Sequence, residues 1–103
     1  MEGKQINLFT FSFVPRLLKA IVNSNTEGFL CISSTENDIF IYKYQLVDSS
    51  ALKLNLMGEK KYSSDIEMVM CKNNFFIEHL QEADGHKKIS IDKVNIQEET
   101  ASF

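Results

Sequence analysis

From Phe29 onward the apolar residues recur at every second position, in Phe40-Tyr42-Tyr44-Leu46, Leu52-Leu54-Leu56, Ile66-Met68-Met70 and Ile89-Ile91. Alternation with a period of two puts one set of side chains on a buried face and the other towards water, which is the pattern of antiparallel sheet. Strands are accordingly predicted over 29–33, 39–46, 51–57, 66–71 and 75–80, with a last strand or strand pair over 88–96. The segment 39–46 is the strongest β-former, with three aromatics and two isoleucines in eight residues. Between these runs lie turn-forming stretches: Ser34 to Asp38, Asp48-Ser49-Ser50, Lys72-Asn73-Asn74 and the hairpin dipeptide Asp84-Gly85. Gly58-Glu59-Lys60-Lys61 reads as a polar loop.

The start of the chain reads differently. Residues 6–13 alternate, with Asn7, Phe9, Phe11 and Phe13 on one side, and predict a well-covered strand. Pro15 follows, a residue well placed in the first turn of a helix. Leu17, Leu18, Ile21 and Val22 then stand at i, i+1, i+4 and i+5, which predicts a helix over about 15–23 with Arg16 and Lys19 outside its apolar stripe. Asn23-Ser24-Asn25-Thr26 ends it, because their side chains compete for the backbone. The expected fold is therefore α+β and mostly β: an antiparallel meander of about six or seven strands with one N-terminal helix on one face. Residues 1–96 make one small domain in this reading, and 97–103 a polar, frayed tail.

Composition supports a single core: 103 residues, 44% hydrophobic and 11% aromatic. Eleven basic against fourteen acidic residues give a net charge of −3, which supplies no general attraction to phosphates and disfavours a nucleic-acid partner. Lys60-Lys61 and Lys87-Lys88 stand near acids and read as solvated turn lysines. The two cysteines, Cys31 and Cys71, lie in apolar strand segments and read as free thiols. No membrane-length apolar run and no Asn-x-Ser/Thr sequon occurs, which points to an intracellular protein, cytoplasmic or nuclear.

No reactive constellation emerges. His79 and His86 are the only histidines, too few and too far from the cysteines for a metal site, and His79 is expected beside Phe75 and Ile77 on one strand face. The serine pairs Ser33-Ser34, Ser49-Ser50 and Ser63-Ser64 sit at turns, where hydroxyls satisfy the backbone. Asp38, Asp48, Asp65, Glu67, Glu78 and Glu82 form no paired-carboxylate motif, and four glycines give no phosphate loop. The expectation is a protein that is not an enzyme and holds no cofactor and no metal.

Two resemblances attach to particular stretches. Residues 8–13, then Val14-Pro15-Arg16-Leu17-Leu18-Lys19-Ala20-Ile21-Val22, then 29–33, 39–46 and 51–57 resemble the strand–helix–strand–strand–strand half-domain of sliding DNA clamps and checkpoint clamp subunits. The part after Gly58 lacks the second helix such a domain has. Gly28-Phe29-Leu30-Cys31-Ile32-Ser33-Ser34 followed by Asp38-Ile39-Phe40-Ile41-Tyr42 is similar to the inner strands of a WD-type propeller blade, although the chain has no tryptophan for that family's Trp-Asp signature. Both are fold analogies and transfer no residue roles.

What remains is a surplus of apolar strand surface and open sheet edges, both of which seek cover. The expected function is a non-catalytic protein–protein interaction module, a small accessory subunit of a larger assembly with a protein partner or further copies of itself. Its partner surface is expected on Phe40, Tyr42 and Tyr44 or along Phe75, Phe76 and Ile77. A clamp-like or nucleic-acid-associated factor and a small-molecule-binding β-domain are the other two readings.

Overall fold

The computed structural model describes residues 10–48 and 51–103, and every regular element among them is a β-strand. β1 (Pro15–Val22), β2 (Glu27–Ser34), β3 (Asp38–Asp48) and β4 (Ala51–Lys61) form one antiparallel sheet in the order β1-β2-β3-β4. β5 (Ile66–Cys71), β6 (Asn74–Ala83) and β7 (His86–Lys93) form a second, in the order β5-β6-β7. β8 (Asn95–Ile96) and β9 (Ala101–Ser102) make a short ladder of their own. Within each sheet neighbours in sequence are neighbours in space, which is what short turns between strands impose. At the β5–β6 and β6–β7 connections the two turn residues have positive φ, 50° and 62° at Lys72 and Asn73 and 52° and 76° at Asp84 and Gly85. Such turns twist with their strands and hold the hairpin register.

The helix expected over 15–23 is not there. Those residues are β1, paired with β2 from Leu17↔Ser33 to Val22↔Gly28. The i, i+4 spacing of Leu17 and Ile21 satisfies a strand as well as a helix, because four is a multiple of two. Ile21 is buried and Leu17 half-buried on one face, while Leu18 and Val22, assigned to the same helical stripe, emerge on the other at 61% and 68% exposure. The β-branched pair Ile21-Val22 and the hairpin partner four residues further on decide the outcome. Pro15 opens an edge strand, where its missing N–H costs no ladder bond. Without this helix the strand–helix order of a clamp half-domain is absent too, and the fold is all-β, not α+β.

Three further boundaries move. Residues 58–61, expected as a loop, complete β4. Residues 97–103, expected as a frayed tail, contain β9, and Ala101 and Phe103 pack against the core. Of the strand expected over 6–13, residues 6–9 lie outside the described residues, and 10–13 cross the first sheet without joining a ladder.

The core lies between the two sheets. Ile21, Cys31, Ile39, Ile41 and Met57 of the first meet Ile66, Met68, Phe75 and Ile77 of the second, with Tyr62 and Val94 at the joins. Arg16 donates from Nη2 to the Ile66 carbonyl at 3.1 Å and ties β1 to β5. A bulge at Arg16 leaves the Leu17 N–H off the ladder, and buried Ser33 accepts it on Oγ at 3.1 Å. The sheets are staggered, so the far ends of both long hairpins leave the shared core, giving extents of 54 × 26 × 25 Å.

Candidate interaction surface

Residues opposite one another in a ladder share a face, so the register fixes what each face carries. On the face of the first sheet turned away from the second, Leu18, Ile32 and Phe40 form one row. Ala20, Leu30, Tyr42 and Leu56 form the next, Val22, Gly28, Tyr44 and Leu54 the third, and Leu46 with Leu52 the last. The charged residues of this face stand at one end, Glu59 opposite Phe40 and Lys61 opposite Asp38. The register shift between Ile41 and Tyr42 makes it possible: Gly58 opposes Ile41 but Leu56 opposes Tyr42, so Met57 is an extra residue and turns into the core at 9% exposure. Below this bulge Leu56, Leu54 and Leu52 point outwards.

All three residues expected on the aromatic strand, Phe40, Tyr42 and Tyr44, therefore stand on this outer face, half-buried rather than bare. Phe13 stacks on Phe40 at 4.2 Å between ring centroids and Phe11 tilts against Tyr42 at 5.7 Å. Val14 fixes that crossing segment by accepting the Thr35 N–H at 3.0 Å. Ile32 is consequently 3% exposed although it is no member of the core cluster. Tyr44 lies over Gly28, where an added Cβ would sit 2.6 Å from its hydroxyl. Burial, and after it the nearby Glu59 carboxylate, raises the Tyr42 phenol above its ordinary value. Away from the crossing segment the face is open: Leu56, like Leu18 and Val22, is at least half exposed.

The second expected set separates. Phe75 and Ile77 are 1% and 0% exposed and belong to the core, because β6 alternates and their face meets the first sheet. Phe76 alone of the three lies on the outer face of the second sheet, in register with Val69. Leu80 with Ile89, and Ile91, continue that face, with Val69, Leu80, Ile89 and Ile91 exposed between 44% and 65%.

One polar cluster escaped the sequence reading. Tyr62 donates its hydroxyl to Asp92 Oδ2 at 2.7 Å, and Lys60 Nζ reaches the same oxygen at 3.2 Å. His79 Nε2 is also 3.2 Å from it but off the line of a hydrogen bond, so this nitrogen stays without a hydrogen-bond partner. The Tyr62 and His79 rings meet at 4.7 Å, and Lys60 stands 4.9 Å above the Tyr62 ring. The Tyr62 hydrogen bond, assisted by Lys60 and opposed by partial burial, holds the Asp92 carboxyl below its ordinary value. Burial first, then the Asp92 hydrogen bond and charge, raises the Tyr62 phenol. These residues come from three separated segments at no motif spacing; only the inward register of His79 hinted at them. They join β4, β6 and β7 and serve as a strut across the sheets.

No protein-family profile, curated protein or solved structure matches the chain. Among the described residues no three His, Cys, Asp or Glu side chains converge as a metal site. No described helix is long and apolar enough to cross a membrane. Cys31 and Cys71 are free, the first buried and the second exposed, and burial pushes the Cys31 thiol up to about 12. A cleft of about 510 Å³ opens between Ile21, Phe29 and Lys43 on one side and Asn73, Asn74 and Glu98 on the other, with charges of mixed sign around an apolar floor.

Proposed function

We propose that this domain is a non-catalytic protein–protein interaction module, a small subunit of an intracellular assembly, cytoplasmic or nuclear, that binds its partner through the outer face of the four-stranded sheet. The observation that carries this reading is the composition of that face: four rows of aliphatic and aromatic residues, with its charges gathered at one end, where Glu59 stands opposite Phe40 and Lys61 opposite Asp38. An antiparallel sheet that shows one face to water ordinarily carries polar side chains there. Here, over the stretch of β3 and β4 beyond the bulge, the polar residues Lys43, Gln45, Lys53 and Asn55 stand on the opposite side, beyond the shared core. Contiguous apolar surface of this kind marks interaction sites, and covering what remains exposed of Leu18, Val22 and Leu56 contributes about half to two thirds of the ~1.5–3 kcal/mol for burying a whole side chain.

The aliphatic and aromatic rows carry no cation, and Lys61 at their end is paired with Asp38 at 3.6 Å, which speaks against the nucleic-acid reading. Lys60 and Lys61 are engaged with Asp92 and Asp38. The test is site-specific photo-crosslinking in cells, with the reactive group at Leu18 or Leu56 and, as a control, at Glu36 on the β2–β3 turn. Protein adducts from the first two positions and none from the control are expected; equal labelling from all three would refute the reading.

A further inference from the structure

We infer that the cleft of about 510 Å³ on the inner side of the four-stranded sheet binds the C-terminal end of a peptide, its apolar last residue on the floor and its terminal carboxylate at Lys43. The cleft follows from the stagger of the sheets. At one end of the stack Tyr62 and Asp92 join them. At the other, the first sheet runs on past the β5–β6 turn, where the second ends, and the space beneath it stays open. Its volume lies within the ~300–1,000 Å³ usual for ligand sites. Ile21 and Val94, sealed into the core at 3% and 2% exposure, form the floor with Phe29 and Ile96, half-buried beside them. The walls are fixed. Ile21, Phe29 and Lys43 stand in one row of the β1-β2-β3 ladder. Opposite them, Asn74 Nδ2 donates to the Lys72 carbonyl at 3.0 Å and closes the β5–β6 turn, and the Gln97 N–H donates to the Thr100 carbonyl at 2.8 Å between β8 and β9. A site built this way is formed before its ligand arrives, which limits the ordering that binding requires.

The polar groups around this floor select the ligand. Lys43 is half-buried and makes no ion pair among the described residues. In the smaller cleft at the Tyr62 end the two lysines are already taken, Lys60 by Asp92 at 3.2 Å and Lys61 by Asp38 at 3.6 Å, so an anion finds a free cation at Lys43 and not there. The other charged residues of the larger cleft, Glu27 and Glu98, repel a second negative charge and attract a positive one. Phosphates and dicarboxylates are therefore excluded, and a ligand with one carboxylate and a basic group some distance from it matches both signs. The remaining polar lining consists of amides, Asn23, Asn73, Asn74 and Gln97, which carry the donors and acceptors that a peptide backbone needs. One carboxylate, an apolar side chain, backbone amides and a basic residue upstream together describe a peptide C-terminus. A fatty acid uses the floor and Lys43 but leaves the amides and both glutamates without a counterpart. The site is independent of the partner surface proposed above, because Phe29 and Lys43 alternate with Leu30 and Tyr42 and so stand on the other side of the sheet.

Amide nitrogen–proton correlation spectra of the full chain, titrated with the peptide acetyl-Lys-Gly-Ala-Leu-Phe, test this. The peptide is added as the free acid and as the C-terminal amide, and decanoate is titrated separately. The acid should shift the resonances of Phe29, Lys43, Asn74 and Gln97. The amide should bind about tenfold more weakly, the loss of one partly solvated charge-assisted hydrogen bond. Lys43→Gln should bring the acid down to the affinity of the amide and leave the amide unchanged, with the urea midpoint confirming that the variant is folded. The comparison of acid with amide on the wild type needs no variant, so it decides the matter even if Lys43→Gln does not fold. Absence of shifts with either peptide at about 1 mM, the weak end of specific binding, overturns the inference. So does equal affinity for acid and amide, or a preference for the acid that survives in Lys43→Gln. Decanoate that binds more tightly than the acid peptide and displaces it makes this a lipid site and overturns the inference too. None of these results bears on crosslinking from Leu18 and Leu56, so the two readings fail separately.

Discussion

Gly28 and Gly85 are glycines for different reasons, and substitution separates them. At Gly28 an added Cβ would run into the Ile21 carbonyl of the neighbouring strand and the Tyr44 ring above it. Backbone cannot retreat without breaking the β1–β2 ladder, so Gly28→Ala should destabilise by about 1–3 kcal/mol, the usual cost of overpacking. At Gly85 nothing lies within 4 Å of the added atom, but φ is +76°, and Gly85→Ala should cost only the left-handed strain of about 1–2 kcal/mol. Urea midpoints measure both, and near-ultraviolet circular dichroism of Tyr44 should change with the first substitution alone. The cysteines divide as sharply. Cys31 is fully buried with its thiol held protonated, and Cys71 is exposed. Because the thiolate is the nucleophile, a maleimide or disulfide reagent should modify one thiol per folded chain, Cys71, and Cys31 only at the rate of unfolding. Two fast equivalents would contradict the placement of Cys31.

At the scale of elements, the hairpin turns carry an opportunity for stabilisation. Lys72 and Asn73 both adopt positive φ, a conformation that Asn-Gly takes with less strain than Lys-Asn. Lys72→Asn with Asn73→Gly should therefore raise stability by about 0.5–1 kcal/mol, the left-handed strain relieved less the entropy that the new glycine adds to the unfolded chain, read from the shift in denaturant midpoint at unchanged slope. The same turns show what the sequence made legible. Asp84-Gly85 announced a hairpin, and where alternation was clean, as in β3 and β5, the strand could be read directly. β1 could not, because Leu17-Leu18 and Ile21-Val22 place apolar residues on both faces of a strand and so imitate a helical stripe. Which face of an alternating strand meets the core is equally invisible along the chain. Phe75 and Ile77 are interior and Phe40 and Tyr42 exterior only because of how the two sheets stack and because Met57 forms a bulge. The Asp92 cluster was illegible for a related reason: Lys60, Tyr62, His79 and Asp92 converge through tertiary register and share no local pattern.

For the molecule as a whole, that cluster governs how its two sheets respond to pH. The Asp92 carboxyl has a folded value below its ordinary 3.8, so the stability it contributes is complete above about 4 and is lost as pH falls through the folded value. The Tyr62 phenol has a folded value above its ordinary 10.0, so its contribution is complete below that point and disappears as pH rises through the raised value. One hydrogen bond, from the Tyr62 hydroxyl to Asp92 Oδ2, thus loosens at both ends of the scale. A hydrogen bond to a charged acceptor is worth about 1.5–3 kcal/mol, and partial solvation of Asp92 places this one near about 1 kcal/mol. Tyr62→Phe keeps the ring in the core and removes only the hydroxyl. It should lower stability by about 1 kcal/mol at neutral pH, shrink the acid-side loss and abolish the Tyr62 share of the alkaline one. Asp92→Asn should flatten the acid limb and shrink the alkaline one by the share that Asp92 contributes to raising the Tyr62 phenol. Urea titrations at a series of pH values read all of this, and a Tyr62→Phe profile parallel to the wild type from acid to alkali would show that the strut between the sheets lies elsewhere.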